Sequence, residues 1–349
     1  MLDSLQRVWF RFWDALTARL AGGRGFKVVL AVLVVYLLAC AAVGLYWSLE
    51  PSRFSVAQAA QQQAQANGQS VVTGYHTTAA LIGITETLLD KPGGYISNDR
   101  LPPGIWLDNM PGWEFGALVQ ARDMARALRK TFSRSQSQST EDPHLAIAEP
   151  QLHFDSNSWI LPSTEGEYRR AIRELRAYQA GLGNSAEQNA QFYARADNLR
   201  DWLGDVSTRL GSLSQRLSAS VGQRRLNTDL AGSPGATQST ATGAEARVQT
   251  PWLEIDNVFY EARGTAWALI HLLEAVELDF ANTLEQKSAR VSVDQIIREL
   301  EATQSTIWSP MILNGTEFGL LANHSLVMAS YISRANAAII DLRELLSQG

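Results

Sequence analysis

The chain has 349 residues, with 30 Lys and Arg against 35 Asp and Glu, a formal charge of −5, and one cysteine. That acidic balance argues against a general nucleic-acid binder, which presents a basic face. A single cysteine excludes an intrachain disulfide and a Cys-rich zinc module.

The charge is unevenly placed. Residues 1–27 carry Arg7, Arg11, Arg19, Arg24 and Lys27 against Asp3 and Asp14, a net +3; residues 28–47 carry none, which leaves −8 for the remainder. Within 1–27, Leu2, Leu5, Trp9, Phe12, Trp13, Leu16 and Leu20 recur at helical spacing. This predicts an amphipathic cytoplasmic leader lying in the membrane interface. Residues 28–47 read VVLAVLVVYLLACAAVGLYW. As a helix they measure about 30 Å, enough for one transmembrane span. Arg24 and Lys27 flank the near end and Tyr46 and Trp47 the far end. The positive-inside rule then places the N-terminus in the cytoplasm and the main domain in the periplasm of an inner membrane. A cleaved secretory signal has a shorter apolar region, so an uncleaved anchor is favoured. Leu37-Leu38-Ala39-Cys40 roughly resembles a bacterial lipobox, but the apolar run continues to Trp47. Whether Cys40 is lipidated stays open.

Residues 48–70 contain the Gln/Ala-rich stretch Ala57–Gly68 and read as a stalk or linker. Residues 71–349 read as one helical domain. Five segments carry helical seams: Leu118–Phe132, Tyr168–Leu182, Phe192–Leu217, Ile255–Phe280 and Leu321–Leu346. The third has a second stripe of small residues, Gly204, Ser207, Gly211, Ser214 and Ser218. Glycine weakens a helix interior by roughly 1 kcal/mol, so the stripe suggests that another helix passes close by. Shorter helices are expected at Thr77–Leu89, stopped by Lys91-Pro92-Gly93-Gly94, and at Ser292–Glu301 behind an N-capping serine. Leu152–Leu161 is the best candidate for extended structure, and Ser163 or Thr164 with Glu167 forms a capping box. Residues 221–250, rich in Gly, Ser, Thr and Ala, read as a mobile loop between long helices. The expected fold is all-α: a single N-terminal transmembrane helix followed by an extracytoplasmic bundle of long antiparallel helices. The heptad seams leave an oligomer open.

No catalytic motif is present. The histidines His76, His144, His153, His271 and His324 include no HExxH and no pair at metal-ligand spacing, and there is no GxSxG, SxxK or Walker loop. A lone helical histidine such as His271 or His324 is a packing residue more often than a ligand. Neither a metal nor a cofactor is expected. Lys91–Gly116 is the densest irregular stretch, with five glycines and four prolines, and long loops of this kind are often functional. Its Tyr95, Asn98, Asp99, Arg100, Trp106, Asp108, Asn109, Trp113 and Glu114 are the candidates for binding a ligand or partner.

KPGGYISNDRLPPGIWLDNMPGWEFG, RALRKTFSRSQSQSTEDP, FYARADNLRDWLGDVSTRLGSLSQRLSAS and YWSLEPSRFSV resemble the bacterial family catalogued as domain of unknown function 2333, from about Leu45 to the C-terminus. The resemblance implies a single-pass inner-membrane protein of Gram-negative bacteria and supplies no catalytic residue to carry over. The expected function is a non-enzymatic envelope scaffold, assembly factor or partner of a membrane complex, held in the lipid bilayer beside another envelope or membrane protein. The alternatives are a ligand-binding sensor and an enzyme acting on cell-wall glycan or peptide through the 91–116 loop. The first would show a closed apolar cavity, the second a clustered acidic and aromatic groove.

Overall fold

A computed structural model describes residues 24–135, 140–184, 190–226, 245–309, 311–316 and 319–348. Residues 1–23 of the expected leader helix and 227–244 of the expected mobile loop lie outside the described residues. The helices are α1 Arg24–Trp47, α2 Val56–Ala66, α3 Tyr75–Asp90, α4 Asn109–Ala127, α5 Pro143–Leu152, α6 Thr164–Gly183, α7 Ala196–Ser218, α8 Ile255–Asp279, α9 Ala281–Gln286, α10 Arg290–Ala302 and α11 His324–Ser347. A short antiparallel hairpin pairs β1 Gln223–Leu226 with β2 Glu245–Val248, Gln223 lying opposite Val248. Among the described residues, α1 is the helix long and apolar enough to cross a membrane.

The bundle is built around α8. Its Ala262, Ala266, Leu269, Leu273 and Val276 are buried, and so are Trp267, Ile270 and Leu272 on its other sides. A helix apolar on nearly every face belongs in an interior. Helices α3, α4, α7, α10 and α11 pack around it. Helix α3 runs antiparallel to it, with Thr77 at Asp279. Helix α10 does the same, with Arg263 bonded to the Thr303 carbonyl at one end and Arg290 paired with Glu277 at the other. The Asp279 carboxylate accepts from the Thr77 N–H and hydroxyl, both at 2.7 Å, with His76 Nδ1 at 3.0 Å. Gly74, at the N-terminus of α3, has no side chain to cap with, so α8 supplies the carboxylate that the first turn needs.

Helix α4 runs in the same sense as α8 and crosses it backbone to backbone. A Cβ on Gly264 would lie 1.9 Å from the Trp113 carbonyl oxygen, and one on Gly116 would lie 2.1 Å from that of Glu261. The long connection between the two helices places no antiparallel constraint on them. The small stripe of α7 does receive a neighbour, α11, running antiparallel. Gly204 faces Arg343, Gly211 faces Asn336, and the Ser214 hydroxyl donates to the Ala329 carbonyl at 3.4 Å. The leucine stripe of α7, Leu199 to Leu217, is buried in the core.

Four expectations are corrected. Lys91–Gly116 is not a loop throughout, because α4 starts at Asn109; its Gly112 and Gly116 are the residues that let α8 approach. Leu152–Leu161 is not extended, since Leu152 closes α5 and turns follow. The strands lie in the segment read as loop. Ser292 does not cap α10, which begins at Arg290 behind Ala289. The Gln/Ala-rich stretch does not stand off as a stalk, because Val56, Ala60 and Ala64 of α2 are buried and the helix packs on α3. The capping residue of α6 is Ser163, whose hydroxyl accepts from the Gly166 N–H at 3.2 Å.

Candidate functional site

The nine candidate residues lie in the segment whose Gly93, Pro103 and Leu107 pack against the end of α1, and they divide into two groups. Tyr95, Asn98, Trp113 and Glu114 are buried. Glu114 is the hub of this group. Its carboxylate pairs with Lys91 Nζ at 2.6 Å, both side chains being wholly buried, and accepts from the Ile96 and Ser97 N–H groups at 2.8 Å and from the Ser97 hydroxyl. Lys91 also donates to the Gly94 carbonyl at 2.5 Å. Every lone pair that a carboxylate can offer thus has a donor, so Glu114 fastens residues 91–97 onto α4. Tyr95 packs edge-on to Tyr168 with ring centroids 5.7 Å apart, and burial, then Tyr168 and Glu114, push its phenol above its ordinary range. Asn98 donates to the Ser158 carbonyl at 2.9 Å and to Glu165 at 3.1 Å. Trp113 stacks at a tilt on Trp267, 5.1 Å away, in the core.

Asp99, Arg100, Trp106, Asp108 and Asn109 lie at or near the surface. Asp99 and Asp108 border a cleft of about 610 Å³ with Glu254 and Glu261 on its far side. Arg216 is the basic residue of the lining and donates from Nη1 to Glu261 Oε2 at 2.7 Å. Burial, then Glu114 and Glu165, raise the Asp99 carboxyl against the opposing pull of Lys91; burial and Asp108 raise Asp256 beside the cleft. Phe115 is the aromatic residue of the lining; neither Trp106 nor Trp113 reaches it. Asp108 is exposed and Glu114 is buried and paired, so these two carboxylates do not face one substrate position. Among the described residues no group of three His, Cys, Asp or Glu is placed to hold a metal ion.

The structure adds residues that local sequence did not single out. The segment leaving α1 is clasped at four points. Trp47 lies over Gly93, where a Cβ would approach the indole to 2.7 Å and where φ is +85°, so glycine is required on both counts. Glu50 forms a bidentate pair with Arg263 of α8, both bonds 2.6 Å, and Arg263 also donates to the Thr303 and Ser305 carbonyls at 2.7 and 3.0 Å. Arg53 pairs with Glu301 at 2.6 Å. The Phe54 ring fills the notch above Gly83 and stacks on His271 with centroids 4.1 Å apart.

His271 is the satisfied packing histidine expected of a lone residue on an apolar helix. Its Nδ1 lies 2.7 Å from the Trp267 carbonyl oxygen, and its Nε2 accepts the Phe54 N–H at 3.1 Å. Those partners select the neutral tautomer with the proton on Nδ1. Burial lowers its pKa from 6.5 to about 4. The sign follows directly. Between these two values the unfolded chain binds a proton that the folded chain refuses, so stability is complete above pH 6.5 and falls as the pH drops through about 4. The loss reaches roughly 3 kcal/mol by the lower limit. Denaturation midpoints measured from pH 7 to pH 4 should show this slope in the wild type and lack it in His271→Phe. An unchanged slope in the variant would assign it to other groups. Signals were present in sequence only as oddities: for the clasp, an arginine in the apolar helix α8 and a lone histidine two turns on; for the Glu114 hub, a lysine read solely as part of a helix stop.

The family model described as an uncharacterised protein conserved in bacteria (DUF2333) matches residues 21–349. No curated protein and no solved structure matches the chain. The match takes in α1, the clasp and the whole bundle, and the chain belongs to this bacterial DUF2333 family.

Proposed function

We propose that this protein is a membrane-anchored scaffold of the cell envelope. In this reading α1 is an uncleaved anchor in the inner membrane, its N-terminus is cytoplasmic, and the bundle stands in the periplasm beside a membrane complex that it holds or helps assemble. The observation that carries the reading is the clasp. A signal sequence destined for removal has no use for contacts to the mature domain, whereas Gly44 and Trp47 of α1 are built into this one, and Glu50 and Phe54 fasten the exit just beyond it. Glu50 and Phe54 reach α8, the central helix, while Gly44 and Trp47 meet the 91–108 segment, so in this reading position in the membrane and orientation of the bundle are set together. The candidate loop supports the same reading. Its inner half is fastened to the core by Glu114, and its tryptophans lie outside the acidic cleft, where a sugar-binding site would need them.

The test is photocrosslinking in native membranes from probes on exposed bundle positions, with the intact chain and with residues 48–54 replaced by Gly and Ser. A recurrent membrane-protein partner captured by the intact chain and lost with the flexible exit supports a scaffold. Hydrolysis of peptidoglycan or another envelope polymer by the purified protein, abolished by Asp108→Ala, would overturn it.

A further inference from the structure

Helix α1 is exposed over most of its length, but Cys40 and Gly44, one turn apart, are buried, and Trp47 is half-buried. What covers Gly44 is the outer half of the candidate loop: a Cβ there would stand 3.5 Å from Pro103 Cβ and 3.7 Å from Leu107 Cδ2. Along the helix axis Gly44 lies about 4.5 Å, and Cys40 about 10 Å, before Trp47. The loop therefore does not stop at the end of the apolar helix but runs back alongside its last turns. The residues around its apex, Leu101, Ile105 and Trp106, are each more than half exposed. A second loop is tied to the first, because Asn98 and Arg100 donate to the carbonyls of Ser158 and Asn157 at 2.9 and 3.1 Å. It presents Trp159, Ile160 and Leu161, likewise more than half exposed.

We infer that these two loops enter the bilayer leaflet from which α1 emerges, giving the bundle a second hold on the lipid. The inference rests on reading α1 as a membrane anchor. Six large apolar side chains in two neighbouring loops form a patch that a water-facing surface rarely carries. Trp, Ile and Leu side by side are what an interfacial segment uses, with the indole at headgroup level and the aliphatic groups below it. The occupant follows from continuity. The first loop adjoins α1 at Gly44, within the apolar helix, and the second is tied to the first through Asn98 and Arg100, so a bilayer around the end of α1 meets the first loop and, beside it, the second. Arg100, exposed at the base of the loop, is placed for the phosphate layer.

The test uses the full chain with Cys40→Ala, reconstituted in vesicles of phosphatidylethanolamine and phosphatidylglycerol. Single cysteines replace Ile105, Ile160, Val34 and Val291 in turn, each carrying an environment-sensitive fluorophore. Val34 reports the apolar wall of α1, and Val291, exposed at the start of α10, reports water. Quenching of Ile105→Cys and Ile160→Cys by spin-labelled acyl chains, with loss of the iodide quenching shown by Val291→Cys, is the expected result. Iodide quenching at both loop positions equal to that at Val291→Cys, while Val34→Cys is quenched from the lipid, would overturn the second hold and leave the anchor standing. Absence of lipid quenching at Val34→Cys would overturn the anchor and this inference together.

Discussion

Replacing Glu114 with alanine is expected to cost about 3–5 kcal/mol, the range for removing one partner of a buried ion pair. The loss has two parts. The Lys91 ammonium, wholly buried, would keep only the Gly94 carbonyl as an acceptor. The N–H groups of Ile96 and Ser97 and the Ser97 hydroxyl would lose their shared acceptor. Lys91→Met should cost clearly less, because the Glu114 carboxylate it leaves behind still accepts from those three donors. Denaturant midpoints in detergent give the order of the two variants. Trypsin gives an independent readout, since a loop released from α4 lets the backbone around the exposed Arg100 unfold into the protease, whereas Lys91 is shielded by Pro92. Equal stability of the two variants, or unchanged proteolysis, would remove Glu114 as the fastener of the candidate loop.

The second large effect concerns Gly264. On an isolated helix, Gly→Ala stabilises by about 1 kcal/mol. Here the added methyl would sit 1.9 Å from the Trp113 carbonyl oxygen, which is backbone and has nowhere to rotate. Helices α4 and α8 must part, which costs packing along both. We expect steric cost to win over propensity, with a net loss of roughly 2–3 kcal/mol. Gly211 on α7 is the matched control, because a Cβ there meets only Asn336 Nδ2 at 3.5 Å, an ordinary contact. Gly211→Ala should be neutral or stabilising by up to about 1 kcal/mol. Opposite signs for the two substitutions, read from thermal unfolding by circular dichroism, are the expected outcome. The same sign for both would mean that the α4–α8 crossing is looser than the structure shows.

The helices were legible where burial repeats with the helical period. The α7 stripe from Leu199 to Leu217 and the α8 stripe from Phe259 to Val276 are buried in register with their spacing. The small stripe of α7 was legible for the same reason, since glycine and serine in a helix are unfavourable unless something closes on them. At α4 the same logic was hidden by Gly112 and Gly116, whose local preferences oppose the helix that tertiary packing imposes. The site was half legible. A dense run of Gly, Pro and aromatic residues marked the segment that packs against the end of α1. Which of its polar groups are structural could not be read, because burial of Glu114 depends on Lys91, twenty-three positions before it and beyond a turn. The pairing within the clasp was out of reach, as it joins Phe54 to His271 and Glu50 to Arg263 across 217 and 213 positions. Neither partner has a local pattern that names the other.

The clasp has a mechanical consequence. A free transmembrane helix adapts to a thinner or thicker bilayer by tilting on its own. Here Trp47, Glu50 and Phe54 bind the end of α1 to the bundle, so tilt of the helix is tilt of the whole body. With α1 across a bilayer, a change in membrane thickness of a few ångströms becomes an angular displacement of the bundle's far end, where α9 and the start of α10 lie. Lipid composition would thereby set the angle at which the bundle stands to the membrane.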